Sequence, residues 1–320
     1  MSLQRFALYR VLSIVPILFG VSVITFGLVH LTPGDPISQL VALNPNITPG
    51  EEAQLRAQYG LDGPVWQQYL IWISNVLTGD FGEVISTNRD VAAVIMSRLP
   101  ETIALGLFGW VFALVIAIPT GIYAAVRKDE LGDTVSRFIA LSGISMPNFW
   151  LGLILILVFS LWAGLWPVLA PARLPLYHPD MLWYLILPGV TIGTAAAASI
   201  MRVMRTSMAE EMNKEYVTAA RAKGLPERQV VLKHVLRNSL ISVVTLAATL
   251  TAGIVAGSVV VEVVFNWPGL GTLLFQAIGH RDTPVIIGGV VIFAYLLALT
   301  VFLLDIFYAI LDPRVRVGPE

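Results

Sequence analysis

The residues able to do chemistry in this chain are few and unevenly placed. Between Arg202 and Leu240 runs its one long basic, helix-forming stretch, which reads EYVTAARAKGLPERQVVLKHVLRNSL from Glu215. Two carboxylates, Glu262 and Asp305, directly follow long apolar runs, and a carboxylate at or in a membrane span is a functional candidate by default. Each has a structural reading as well, as a boundary group reaching interfacial water. His30, His178, His234 and His280 are scattered and show no metal-ligand spacing. Cysteine is absent, which removes disulfides, thiolate metal sites and thiol catalysis. No G-x-x-x-x-G-K-[ST], H-E-x-x-H or G-x-S-x-G motif occurs, so phosphate cradling, zinc hydrolysis and a serine nucleophile elbow all lack their signatures. No catalytic residue and no bound metal or cofactor is expected on this chain. What remains is a docking chemistry: ion pairs and close backbone approach on a basic helical corner.

The elements that hold this corner are membrane spans. With 56% of residues apolar, 13% charged and a mean hydropathy of +0.77, the chain lies far from globular averages. Charge-free runs of about 20 residues or more, enough to cross a bilayer, extend over 11–34, 102–126, 138–172, 181–201, 238–261 and 283–304. The third exceeds one ordinary span, so its helix is placed at 138–165, with Pro167 and Pro171 beyond it. An all-α polytopic membrane protein with six transmembrane helices results. The first run is longer than the 7 to 15 residues of a signal-peptide core and has no evident small-residue cleavage site, so it reads as a retained helix. With the N-terminus inside, 15 of the 20 Lys and Arg residues fall on the inner face, which places both termini in the cytoplasm. Trp162, Trp166, Trp183 and Trp267 then sit near outer span ends, where indoles suit the headgroup zone.

Three regions follow: 1–34 as the cytoplasmic N-terminus and first span, 35–101 as an extracytoplasmic loop, and 102–320 as a five-span core containing the inner loop 202–240. In the outer loop, Thr48, Pro49 and Glu51 match a capping box with proline at N1, and Gly60 sits where a helix would end. A helix over 49–59 is expected. After Pro64, the positions Val65, Tyr69, Trp72, Ile73 and Val76 recur at helical spacing and predict a surface helix packed on the outer ends of the spans, or else a lid or docking surface for an extracytoplasmic partner. In the inner loop, Ser207–Lys223 predicts one helix, Gly224 a left-handed turn and Pro226 the first turn of a second helix running to about Leu240. Small residues at Ala219, Ala220 and Ala222 permit a partner's close approach. The competing reading is a solvated basic loop that only enforces orientation.

Thr218-Ala219-Ala220, three residues, then Gly224 resembles the EAA loop of permease subunits in binding-protein-dependent ABC importers, whose pattern is E-A-A, three residues, G, nine residues, I-x-L-P. Thr218 replaces the glutamate and His234-Val235-Leu236-Arg237 replaces I-x-L-P, departures typical of the dipeptide, oligopeptide and nickel branch. Further segments run through nearly the whole chain. They include Pro33-Gly34-Asp35-Pro36, Gly79-Asp80-Phe81-Gly82, Ser145-Met146-Pro147-Asn148-Phe149-Trp150, Phe265 to Gly271, Arg281-Asp282-Thr283-Pro284 and Leu311-Asp312-Pro313-Arg314. The long loop after the first span is similar to that of the B-type permease.

The resemblance implies a type I ABC importer permease in the cytoplasmic membrane that imports dipeptides or oligopeptides, with nickel complexes or glutathione as alternative cargo. It implies a second homologous permease, two cytoplasmic ATPase subunits carrying ATP and Mg, an extracytoplasmic substrate-binding protein and no nucleic acid. Thr218, Ala219, Ala220, Arg221, Ala222, Lys223, Gly224 and Leu225 would couple to the ATPases, while Glu262 and Asn148 are candidates to line the substrate path. A self-contained secondary carrier is the rival class. It would more often show mid-span ionisable residues and an internal repeat, and neither is visible.

Overall fold

A computed structural model describes residues 3–31, 41, 48–58, 63–85, 87–167 and 178–311. Apart from one isolated bridge between Glu83 and Asp90, these residues form helices and their connections. In chain order they are α1 (Leu3–Leu31), α2 (Pro49–Gln58), α3 (Val65–Thr78), α4 (Val91–Val126), α5 (Leu131–Ser145), and α6 (Asn148–Leu155), which runs on as a π-helical stretch, Ile156–Trp162. Then come α7 (Pro179–Glu211), α8 (Glu215–Ala222), α9 (Glu227–Gln229, a π-helical Val230–Val235, then Leu236–Val264), α10 (Leu270–His280) and α11 (Thr283–Leu311). Among the described residues five helices are long and apolar enough to cross a membrane, and six spans result if α5 and α6 form one bent span.

That bend corrects the straight third span expected over 138–165. α5 and α6 meet at 109° across Met146 and Pro147. Proline forces the residue before it out of the helical region, and Met146 accordingly has φ −81° and ψ 128°. The apolar composition of 138–165 carries no trace of this break except the proline itself.

Two compact units are distinguished. The first combines the chain up to Pro100 with Gly269–Phe302. Its apolar centre is made by Val84, Val91, Ile95, Leu270, Ala277 and Val285. Asp282 organises one edge, because its Oδ2 accepts from the Ile85 N–H at 3.1 Å and its Oδ1 from the Val285 N–H at 3.4 Å, capping α11. α3 lies on α1: the Tyr69 and Ser22 hydroxyls are 2.8 Å apart, and Tyr69 and Trp72 pack on Phe26. The expected capping box of α2 is present, with Glu51 Oε2 accepting from the Thr48 N–H at 2.8 Å and the Glu51 N–H donating to Thr48 Oγ1. Gly60 lies outside the described residues. Replacing Thr48 with alanine removes the reciprocal cap, and the amide of Glu51 should exchange about fivefold faster in hydrogen-exchange mass spectrometry, the scale of one helix cap.

The second unit combines Glu101–Pro268 with the chain from Leu303. α7 is its central helix, packed against α5, α6 and α9. α4 begins at Val91, eleven residues before the predicted span, and carries Arg98, Pro100 and Glu101 within the helix. α4 and α7 cross at glycines: a Cβ added to Gly193 would lie 2.4 Å from the Gly109 carbonyl oxygen. Such small-residue contacts are how membrane helices gain van der Waals contact where lipid offers no hydrophobic driving force. Trp267, expected near an outer span end, lies just past the end of α9 and is fully buried in protein, donating its indole N–H to the Glu101 carbonyl at 2.9 Å. Trp166 stacks on Trp183 with ring centroids 4.4 Å apart, and Trp162 is exposed.

Candidate functional site

The single helix expected over 207–223 is two. α7 ends at Glu211, and the Asn213 side chain donates to the Ala209 carbonyl at 2.9 Å, the local competition by which Asn breaks helices. After a turn, extended Lys214 opens α8, with Glu215 in its first turn and Arg221 in its last, each charge opposing the nearby end of the helix dipole. The buried face of α8 is Val217 and Ala220, which join an apolar cluster with Val230, Val231 and Val235 of α9. Thr218, Ala219, Arg221, Ala222 and Lys223 face outward.

The turn that ends α8 has the predicted left-handed glycine. Gly224 has φ +76°. Its N–H donates to the Arg221 carbonyl at 2.9 Å, and the Leu225 N–H reaches back to the Ala220 carbonyl at 3.4 Å, the paired bonds of a Schellman cap. Leu225 packs on the same apolar cluster, the hydrophobic contact that accompanies this cap. Across the turn Arg221 grips Glu227 with two bonds of 2.6 and 3.1 Å. That guanidinium holds the Glu227 carboxyl below its ordinary value. Both groups are exposed, so the clamp sets geometry and adds little stability.

From Pro226 the chain continues without interruption from Glu227 to Val264, 38 residues. The helix that leaves the corner and the fifth apolar run are therefore one. Tyr216 ties this corner to both long helices, donating to Glu211 Oε2 at 2.5 Å and accepting from Asn238 Nδ2 at 3.0 Å. Nearby, outside the apolar runs, Arg205 of α7 makes a two-pronged pair with Asp133 of α5 at 2.5 and 2.6 Å, and Arg137 lies 3.5 Å from the same carboxylate. Asp133 has no exposed side-chain surface. The bonds from Arg205, outweighing desolvation, lower its carboxyl to about 2.

This basic, alanine-rich corner terminates in a left-handed glycine and is built onto a long apolar helix. Residues 117–317 match the family described as the binding-protein-dependent transport system inner membrane component, and residues 3–106 match that system's N-terminal membrane component. The chain belongs to this permease family. Similar proteins include the oligopeptide transport system permease AppB of Bacillus subtilis, 39% identical over 98% of this chain and 100% of that protein. The dipeptide transport system permease DppB of Escherichia coli is 35% identical over 98% of each chain. The glutathione transport system permease GsiC of Escherichia coli O1:K1 is 41% identical over 98% of this chain and 99% of that one. In fold, the permease resembles an inward-facing MetNI methionine ABC transporter structure, with a TM-score of 0.55 and 23% identity over 68% of this chain and 96% of the other. It is a multi-pass protein of the cytoplasmic membrane, and its relatives are permease subunits of ABC importers.

The residues of the permease singled out by sequence fall in two places. Thr218 to Leu225 form one continuous corner. Glu262 and Asn148 lie apart from it on α9 and α6, helices that pack together. Glu262 is fully buried in the last turn of α9, and its carbonyl accepts from the Trp267 backbone N–H at 2.8 Å. Asn148, half-buried, opens α6 just after the bend. Sequence reasoning did not single out Tyr216, Asp133 or Arg205. Asp133 and Arg137 have the four-residue spacing of a helical ion pair, which was a usable signal. Arg205 is 72 residues away and has no local one.

Proposed function

We propose that the permease forms half of a translocation path with a second homologous permease and is driven by two ATPase subunits that dock on Thr218–Leu225. The carrying observation is the corner's construction: a rigid cap whose inner face is buried, whose outer face is small and basic, and whose next residue starts a helix continuous with a membrane span. Motion imposed on such a corner reaches the span with no flexible joint between. Both termini and this corner face the cytoplasm, since 15 of the 20 basic residues then lie inside. ATP and Mg are held by the partner subunits. An extracytoplasmic binding protein delivers cargo, and Glu262 and Asn148 border its route. The names of similar proteins support dipeptides or oligopeptides as that cargo, and the glutathione permease relative supports glutathione as a second reading.

Gly224→Val tests the corner. No atom lies within 4 Å of the added Cβ position, so the cost is conformational alone. A left-handed β-branched residue costs about 1–2 kcal/mol. Membrane insertion should be unchanged, while ATPase recovered in a mild-detergent pull-down and cargo uptake should fall about tenfold, the equivalent of that cost. Gly224→Asn, which tolerates the left-handed region, should retain most of both. Wild-type uptake and recovery by the valine variant would show that docking does not depend on the left-handed turn.

A further inference from the structure

α3 contains no charged residue in its 14 positions, and its surface divides into three sectors. Tyr69, Trp72 and Val76 lie toward α1 or are buried. Gln67, Ser74 and Thr78 form an exposed polar sector, with Ile71 at its edge 39% exposed. Between them, at helical spacing, Trp66, Leu70 and Leu77 are 66%, 54% and 72% exposed. A water-facing helix would gain nothing from this third sector, and the contacts with α1 place it at a definite depth. Tyr69 meets Ser22 and also packs edge-on to Phe19 and Phe26. Ser22 lies about 13 Å inside the Leu31 end of α1 at helical rise, near the middle of the apolar run that starts after Arg10. A bilayer's hydrocarbon core is about 30 Å thick, so the Tyr69 side chain reaches well below the headgroups. α1 carries these contacts on one face and belongs, over Arg5–Leu28, to a membrane span, with Ile24 and Leu28 exposed on its other face.

We propose that α3 is a membrane-interface helix, seated against α1 with Trp66, Leu70 and Leu77 in contact with lipid and Gln67, Ser74 and Thr78 turned toward water. This arrangement matches an amphipathic helix lying at the boundary of headgroups and acyl chains, with the indole of Trp66 in the zone it favours. The loop between the first two spans is thereby anchored on the bilayer.

The absence of cysteine makes single-site labelling specific. Leu70→Cys, Leu77→Cys and Ser74→Cys would each be labelled with bimane maleimide in the full chain, which is then reconstituted into phosphatidylcholine vesicles. Emission would be read with brominated acyl chains and, separately, with aqueous iodide. Labels at 70 and 77 should be quenched by brominated lipid and shielded from iodide, with the label at 74 showing the reverse. Iodide quenching at 70 and 77 equal to that at 74 would place the sector in water. Shielding from both quenchers would mean that protein, such as a second copy, covers it. Either result overturns the proposal.

Discussion

Gly193→Ala should strongly destabilise the helix core of this permease, although alanine is the better helix former. Its Cβ would sit 2.4 Å from the Gly109 carbonyl oxygen and 2.9 Å from Phe112 Cδ1. The nearer atom is backbone inside α4, so relief requires the two helices to separate. Overpacking that side chains can absorb costs about 1–3 kcal/mol. A backbone clash at a crossing that depends on close contact should reach the top of that range or exceed it. Gly106→Ala supplies the sign control. It lies three residues from Gly109 on the same helix with no atom within 4 Å of its added Cβ, so only the helix-propensity gain of about 0.5–1 kcal/mol over glycine applies. Thermal unfolding of the purified chain should give a lowered Tm for position 193 and an unchanged or raised one for position 106. Equal midpoints would mean that the crossing is looser than its geometry.

Asp133→Asn is expected to have the second largest effect. It leaves Arg205 and Arg137 adjacent without their shared counter-charge, and breaking a water-excluded pair from one side costs about 3–5 kcal/mol. Arg205 retains 15% exposure, so water can partly re-solvate it and the loss should fall near about 3 kcal/mol. Changing both residues to apolar ones of similar volume should cost less than either single change. The pair also predicts an acid response. Because the folded carboxyl titrates at about 2 against an ordinary value of 3.8, its contribution is complete above the unfolded value and is lost as pH falls from about 4 toward 2. Asp133→Asn should lack this stability step. If the variant shows the same step and the same Tm as wild type, the pair contributes nothing net.

The two outcomes bear on different elements of one design. Gly193 and Gly109 bring α4 against α7, and Asp133 ties α5 to α7 through Arg205. α7 ends at Glu211, where Tyr216 meets it. In the proposed coupling, a stable central helix is what would let a corner of eight residues deliver force instead of bending.

Much of this was legible from residue type and order. Charge-free runs located the spans because an apolar bilayer tolerates few ionised groups. Thr48 with Glu51, and Gly224 after an alanine-rich turn, identified a helix start and a helix stop because their chemistry is satisfied within a few residues. The corner and its family pattern were therefore readable without coordinates. Local composition could not separate α7 from α8, since Ser207–Lys223 consists mainly of good helix formers and the break depends on Asn213 turning back to Ala209. The 109° bend at Pro147 was similarly hidden, because proline signals a boundary without setting an angle.

By itself the sequence determined a multi-span helical membrane protein with a left-handed corner between two helices, because hydropathy, charge and cap chemistry act over short distances along the chain. Only the tertiary structure decided that Trp267 is buried with its indole on the Glu101 carbonyl, that Arg205 answers Asp133, and that α3 packs along α1. Each of these depends on which helices meet. That choice rests on van der Waals fit and polar pairing between residues tens to more than a hundred positions apart, for which no single stretch of sequence carries a signal.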